Sequence, residues 1–596
     1  MKKYLFIALA ALGFAACAEK MDDNSPVQKG EVESSYIAIS LSATDPSTRA
    51  NDGTYQEGAD VERAVETAYF FFFNEDGTAF PVNVSDGAAN LPGATGGINH
   101  LQAKINSTTG ADMNNVSDIK NVVLLLKNYK GDYPKQIVAV LNWVPTSNTP
   151  YSLDDLKTAL VDVRSNEVGN LNGKFVMSNA VYATEGTPAT AVYATPLTAD
   201  NIFTDEANAK ANPVTIYVER VAAKVTVTTT GGKDVFNLNK PVTIGSSNTP
   251  VYAKILGWEL YNDYQQSYLV KNIDPATWTV ANLGFNWNDS PWYRSYWATS
   301  YTGEFPDNEF QYEYGNGENK NYGLGFGIAT DVATGTYAEN TYTYCGENTN
   351  REGKDRTKII LKAQLVGNEA GTSPVELARW YSTEYLGEED LRTAVANTLK
   401  YTLYYKVGDN FVGLEPGDLQ CVSAYDVNGT LAAGAPSGIE PYEVFFQLST
   451  AGQAKTWYKN VGGVKDAIAD ITKQDEVVAE ANKYLSENVE PATLYKSGQT
   501  YYYFDVQHLG NLQDAVAQDG EYGIVRNHIY AININSIGGY GSPIYVGTSS
   551  IVTPPEYPEE PGEETSFVSA EVRILSWRIV SQGVDIQPNP EPTPGV

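Results

Sequence analysis

Residues Phe567 to Ile586 read FVSAEVRILSWRIVSQGVDI, and the fold class follows from how they alternate. Val568, Ala570, Val572 and Ile574 alternate with polar residues at period two, the pattern of a β-strand with one apolar face. After Ile574 the phase slips by one residue. Leu575, Trp577 and Ile579 then carry the apolar face onward, with Val584 and Ile586 closing the run, and such a slip predicts a bulge or bend. Immediately upstream, Pro554 to Glu564 read PPEYPEEPGEE. Proline lacks the amide donor a sheet interior needs, so this segment runs extended as an acidic tether. A long apolar strand therefore hangs from a stiff arm. Left unpaired, its edge would template aggregation, so it must complete some sheet.

The 596 residues leave room for two or more domains, each with its own core. Aromatics at 12%, with 41 tyrosines and 51 glycines, suit strands and turns better than a helical bundle. A formal net charge of −31 leaves no basic field to neutralise phosphates, which excludes nucleic acid as a partner. Of the three cysteines, Cys345 and Cys421 leave two readings open, a bridge or two separate thiols.

Cys17 belongs to a different signal. Lys2 and Lys3 precede an apolar run from Tyr4 to Ala16 that is too short for a spanning helix and fits a secretory signal peptide. The small residues of Phe14-Ala15-Ala16-Cys17 resemble a bacterial lipobox, with Phe14 at a position usually aliphatic. Lipidation of Cys17 would anchor the precursor by its acyl chains. The alternative is an ordinary signal peptide with an incidental cysteine. Glu19, Lys20, Asp22 and Asp23 follow, similar to the acidic signal that directs some lipoproteins to the cell surface.

Further along, Tyr36, Ile37, Ile39 and Leu41 lie in one short alternating strand, followed by the loop DPSTRANDG at Asp45 to Gly53. Exposed loops of this composition are preferred sites of nicking, and Arg49 is the basic residue within it. Val65 to Phe73 reads as a buried strand closed by the turn Asn74 to Gly77. Val122 to Leu126 and Ile137 to Val144 read as a strand pair, and Val214 to Thr228 as a pair or one bent strand. Ser152-Leu153-Asp154-Asp155 has capping-box spacing and predicts a helix through Leu160. Later strands are expected at Ala253 to Tyr261, Thr357 to Val366, Tyr401 to Val407, Tyr442 to Leu448, Tyr501 to Val506 and His528 to Ile537. Val464, Ile468, Ile471, Val478, Ala481 and Leu485 fall at helical spacing and predict one amphipathic helix. Strands at regular spacing without α/β alternation give a mainly β fold, β-sandwich domains with small helical insertions.

Chemistry leaves little trace. His100, His508 and His528 are too few and too scattered for a metal cluster or a Ser-His-Asp set. No GxSxG, HExxH, CxxC, P-loop or EF-hand pattern occurs. No cofactor, metal site or enzymatic activity is expected.

Several segments, in order along almost the whole chain, resemble the Bacteroidia fimbrillins that build type V pili, in particular the Mfa-like shaft subunits of minor fimbria. They are the lipoprotein start, the Tyr36 to Leu41 strand and the Arg49-Ala50 step. VERVAAKV at Val218 to Val225, RSYWA at Arg294 to Ala298, VRNHIY at Val525 to Tyr530 and the tethered C-terminal strand complete the set. The resemblance implies two β-sandwich domains of transthyretin-like, Greek-key type plus a C-terminal donor strand. It also implies an assembly route. An arginine-specific protease would cut at Arg49-Ala50 and release the lipid-bearing piece with Tyr36, Ile37, Ile39 and Leu41. The strand Val568, Ala570, Val572, Ile574, Leu575, Trp577, Ile579, Val584 and Ile586 of another copy would fill the groove. Head-to-tail pairing of this kind does not close, and it makes a fibre. Arg63 is a rival cut, disfavoured because it borders the buried Val65 to Phe73 strand.

On this reading residues 1–17 are the signal peptide ending in lipidated Cys17, and 18–49 a propeptide. Residues 50–230 form the N-terminal sandwich and 231–552 the C-terminal one, divided at Gly231-Gly232. Residues 553–566 are the tether, 567–586 the donor and 587–596 a tail. The expected partners are other copies of the chain, accessory tip and anchor subunits, the processing protease, and host or bacterial surface receptors. The expected location is the fimbrium, with an outer-membrane lipoprotein precursor. Two alternatives stand beside it: a tip or accessory subunit, or a surface glycan-binding lipoprotein using Trp292, Tyr293, Tyr296, Trp297 and Tyr301 as stacking platforms.

Overall fold

The structure, a computed structural model, describes residues 32–42, 62, 65–82, 98–103, 122–129, 132–163, 175–183, 190–244, 247–264, 266–274, 279–280, 285–286, 298–301, 303, 310–311, 342–350, 355–426, 429–508, 521–544, 551–552, 567–576 and 580–581. Strands dominate, as the mainly β expectation requires.

The first sheet runs His100–Gln102, Ala68–Phe73, Gln136–Leu141, Met177–Asn179, Val214–Arg220, Val32–Ser42, Val122–Tyr129 from edge to edge. We label Val32–Ser42 β1, Val122–Tyr129 β2 and Val214–Arg220 β3. Ala68–Phe73 is an inner strand, one in from the His100–Gln102 edge, and the side chains of Phe70 to Phe73 are all buried, as the unbroken apolar run predicts. The expected pairing of Val122 to Leu126 with Ile137 to Val144 does not occur. Both are strands, but β2 pairs with β1, and Gln136–Leu141 pairs with Ala68–Phe73 and Met177–Asn179. Two adjacent apolar runs had suggested a hairpin, yet in the sheet three strands stand between them.

β3 changes partner midway. Val214 to Tyr217 pair with β1, and Val218 to Arg220 with Met177–Asn179. Val221 and Ala222 then carry the chain into β4 (Ala223–Thr229), so Val214 to Thr228 is neither a pair nor one strand. β4 lies in a second sheet, parallel to β5 (His528–Gly538), which pairs antiparallel with β6 (Phe567–Ser576). The crossing between sheets thus falls at Val221-Ala222, ahead of the Gly231-Gly232 step. Asn527 stitches the crossing: in the left-handed region at φ 57, it donates its amide to Ala222 O at 2.8 Å. Its side-chain oxygen accepts the Arg220 amide at 3.2 Å.

A third sheet, containing Tyr252–Tyr261, Lys358–Val366 and Gln499–Asp505, shares one core with the second: Val225, Val227, Ile532 and Ile534 pack with Ile255, Trp258, Leu361 and Tyr502. This is a sandwich built by alternation on both facing sheets. A further core around Trp457 joins two small sheets to the helices α2 (Gly387–Leu399) and α3 (Gln474–Asn488).

Two helical expectations change. α1 (Leu153–Thr158) has the full capping box between Ser152 and Asp155, but it stops at Thr158, and Leu160–Asp162 is already strand. The single helix expected over Val464 to Leu485 is a hairpin strand, Val464–Ala467, followed after a break by α3. The break is local. The Asp470 side chain accepts the Thr472 amide and hydroxyl, and that Asx turn competes with helix. The buried stripe of α3 contains Ala481 and Leu485 as expected, with Val477 in place of the expected Val478.

Candidate strand-exchange site

β1 carries all four residues expected to be displaced. Ile37 and Ile39 are fully buried in the first core, and Tyr36 is half-buried. Leu41 takes its place in the register opposite Ile216. β1 is an inner strand. It runs antiparallel to β2 from Val32↔Tyr129 to Ile39↔Val122, and parallel to β3 from Ile39↔Val214 to Ser42↔Tyr217. Tyr36 also exchanges backbone hydrogen bonds with Phe203, at 2.7 and 2.9 Å.

The physics of the slot follows from that position. Among the described residues β2 has no ladder partner other than β1. Withdrawing β1 would unpair the facing edges of β2 and β3 together and open the core between Leu124 and Leu126 on one side and Val214 and Ile216 on the other. Reburying the equivalents of Ile37 and Ile39 is worth roughly 1.5–3 kcal/mol each in gross terms. An apolar strand of period two fits such a slot, antiparallel to one neighbour and parallel to the other.

The expected donor is where the sequence places a strand, paired with β5 from Phe567 to Ser576. Ile574, Val572, Ala570 and Val568 stand opposite Tyr530, Ile532, Ile534 and Ile537 of β5. Of the bulge or bend expected after Ile574, no bulge is there, since Leu575 and Ser576 continue in step opposite Ile529 and His528, but the direction does reverse: Val580 and Ser581 return antiparallel beside Ile574 and Arg573. The register shift lies instead on β5, between Ile534 and Ser536. In this single chain, then, β6 is paired with the chain's own second sheet. Trp577, Ile579, Val584 and Ile586 lie outside the described residues, as do Cys17, Arg49, Ala50, Arg63, Trp292, Tyr293, Tyr296 and Trp297. Tyr301 is described, set edge-on to Tyr264 and Tyr268 at centroid distances of 6.2 and 6.1 Å.

Sequence reading missed a set of buried ion pairs at the crossing between the sheets. Glu62, from the segment leading into Ala68–Phe73, holds Lys224 at 2.7 Å, accepts the Tyr344 hydroxyl at 2.6 Å, and through its carbonyl accepts Nε of Arg220 at 2.8 Å. Lys271 pairs with Glu219 at 2.8 Å, and Arg526 forms a fork with Glu347 while donating to Tyr268 O at 2.6 Å. All six paired side chains are essentially without solvent exposure. Burial works against the Glu62 carboxylate, but Lys224, the hydrogen bonds from Lys224 and Tyr344, and Arg220 together hold it below the usual glutamate range. The phenol of Tyr344 is pushed up, by burial first and by the Glu62 charge second. The signal available was the density of charge in strand-like VERVAAKV and VRNHIY, which reads as surface unless the partners are known.

Cys345 and Cys421 are not bridged, so of the two readings left open the separate thiols hold. Burial pushes the Cys421 thiol up to about 12. Among the described residues no group of three or more His, Cys, Asp and Glu is placed to hold a metal ion. No helix among them is long and apolar enough to cross a membrane, which says nothing of β-barrels.

Comparison with known proteins finds a family likeness over the C-terminal part of the chain. The model for "Major fimbrial subunit protein type IV, Fimbrillin, C-terminal" matches residues 493–583, the stretch that includes β5 and β6. No curated protein matches the chain. Among solved structures, it is similar to a fimbrilin from Porphyromonas gingivalis W83, with 12% identity over 92% of this chain and 98% of that one at a TM-score of 0.34. A putative cell adhesion protein from Parabacteroides distasonis gives 14% identity, 92% and 98% coverage and a TM-score of 0.33. The tip fimbrial protein Mfa3 from Porphyromonas gingivalis gives 10% identity, 84% and 95% coverage and a TM-score of 0.27. At these scores the structures carry no argument of their own; the family match covers the C-terminal strands alone, and there the chain is similar to the fimbrillin C-terminal region.

Proposed function

We propose that this protein is a fimbrillin, a shaft subunit of a type V fimbrium that polymerises by proteolysis-triggered strand exchange and so supports adhesion and biofilm formation. The precursor reaches the outer membrane as a lipoprotein through Cys17. An arginine-specific protease cuts at Arg49-Ala50, and the removed piece takes β1 with it. The C-terminal strand of another copy then enters between β2 and β3. The observation that carries this reading is the position of β1. It is an inner strand with buried isoleucines, yet it precedes the loop that holds Arg49. Losing an inner strand is intolerable for a finished protein, but it is useful in a subunit awaiting a replacement.

The donor matches the slot by pattern. Val568, Ala570, Val572 and Ile574 repeat at the same period as Ser35, Ile37, Ile39 and Leu41. Burying such anchors contributes about 1.5–3 kcal/mol each before association costs. A tether of the length of residues 553–566 spans on the order of 35 Å if extended, enough to reach a neighbour. Accessory tip and anchor subunits and surface receptors would act at the ends and flanks of such a fibre.

The test is N-terminal sequencing of the surface protein together with a chain truncated before Phe567. The mature chain should begin at Ala50, and the truncated chain should be exported and cut without forming multimers. A monomeric surface protein that keeps Cys17 would point to the glycan-binding lipoprotein instead. Polymers built from the truncated chain would refute strand exchange.

A further inference from the structure

The buried charges at the crossing bear on where processing stops, an inference that rests on the strand-exchange reading. Glu62 stands between the two candidate cuts, Arg49 and Arg63. It is tied to both sheets at once. Lys224 is in β4, paired with Ile529 of β5, and Arg220 is the last residue of β3. Tyr344, the third partner, lies on the strand Tyr342–Cys345 beside β4. The Lys224 ammonium also sits 4.2 Å from the Tyr342 ring centroid, walled in by aromatic faces. Glu62 is 1% exposed and Lys224 2%, so in the folded chain the pair is shut off from water. A buried pair that loses one partner strands the other charge, which costs far more than losing an exposed pair.

We infer that Glu62 is the positioning residue that fixes the processing boundary: a cut at Arg49 leaves it in place beside Lys224, whereas a cut at Arg63 removes it with the released piece and strands a buried ammonium at the crossing between the sheets. β1 can therefore depart without disturbing the crossing, but the chain up to Arg63 cannot. The two candidate cuts differ in consequence even if a protease reaches both.

The experiment compares full-length protein and its Arg49→Ala variant, each subjected to limited cutting by an arginine-specific protease. N-termini are read by mass spectrometry, and the unfolding of each product by calorimetry. The product beginning at Ala64 is expected to melt roughly 10 °C below the one beginning at Ala50. Lys224→Met distinguishes the ion pair from simple packing by residues 50–63. With no ammonium to strand, the gap between the two products should shrink by at least about half. Lys224→Gln, which keeps a donor to the carboxylate, serves if Lys224→Met does not fold. Resistance of Arg63 to cutting in Arg49→Ala, relieved by the Lys224 substitution, supports the same conclusion. Equal melting of the two products, a gap that Lys224→Met leaves unchanged, or resistance in both backgrounds overturns it. None of these readouts depends on polymer formation, so a failure of strand exchange appears separately, as an Ala50 product that stays monomeric.

Discussion

Single buried side chains set how this molecule answers to acid. His508 is enclosed, with Nδ1 2.8 Å from the Tyr530 hydroxyl, which also accepts the Val525 amide at 2.8 Å. Its ring lies 5.3 Å from that of His528. Burial, then the neighbouring His528 and Lys271, holds its pKa well below the ordinary value of 6.5. The unfolded chain takes up a proton below 6.5 that the folded chain refuses, so stability falls as pH drops beneath that value. Glu62 acts in the same direction at lower pH. Its carboxylate is held below 4.5 in the fold, so its contribution is present above 4.5 and is lost as pH falls through the folded value. Urea unfolding should therefore show a lower midpoint at pH 5 than at pH 7. The slope from His508 is at most about 1.4 kcal/mol per pH unit. His508→Asn, which keeps an acceptor near the place of Nδ1 and cannot titrate, should flatten the fall. An unchanged pH profile in that variant would assign the acid sensitivity elsewhere.

Elements were legible where one period ran unbroken, and obscured where a turn or a long-range partner intervened. The strands Tyr252–Tyr261, Lys358–Val366, Glu443–Leu448 and His528–Gly538 lie within a residue or so of their expected bounds, because each alternates against a core on one face. α1 was marked by its capping box. α2 was overlooked although its signals were present: acidic Glu388, Glu389 and Asp390 in the first turn, then Leu391, Val395 and Leu399 at helical spacing. α3 was seen, with Ala481 and Leu485 on its buried stripe as expected, but helical spacing counted across the Asp470–Thr472 turn put Val478 where Val477 is buried. That correction is testable. Val477→Ala removes most of a fully buried side chain and should cost roughly 1.5–3 kcal/mol by chemical denaturation. Val478→Ala, beside the stripe, should cost less than about 1 kcal/mol. The reverse ranking would restore the original phase. Within the candidate site, β1 and β6 were readable from alternation. Glu62, Lys224 and Arg220 were not, because charge in a strand is read as a solvent face, and only the partner's arrival from a distant segment makes it interior.

At the scale of the whole molecule, the proposed strand exchange gives β6 two sites, and the single chain shows one of them. Its register on β5 carries the same apolar residues that exchange would bring into a neighbour's first sheet. Pairing within the chain protects an edge that would otherwise template aggregation, and it holds the donor until a vacant slot competes for it. Exchange then gains little from ladder bonds, since those broken on β5 are replaced on β2 and β3. The difference must come from closing the slot that β1 leaves open. It follows that locking β6 in place should stop assembly without unfolding anything. Asn533 and Glu571 stand directly opposite each other in the register, and partly exposed Asn533 can accept a substitution. Facing residues of antiparallel strands lie about 4.5–5.5 Å apart between Cα atoms, within reach of a disulfide. Asn533→Cys with Glu571→Cys should therefore cross-link on oxidation, with little competition from buried Cys345 or from the Cys421 thiol, whose pKa of about 12 keeps it protonated. Oxidised, the protein cut at Arg49 should remain monomeric by size-exclusion chromatography. Reduced, the same sample should polymerise. Equal polymerisation in both states would mean that β6 does not have to leave β5 for the fibre to grow.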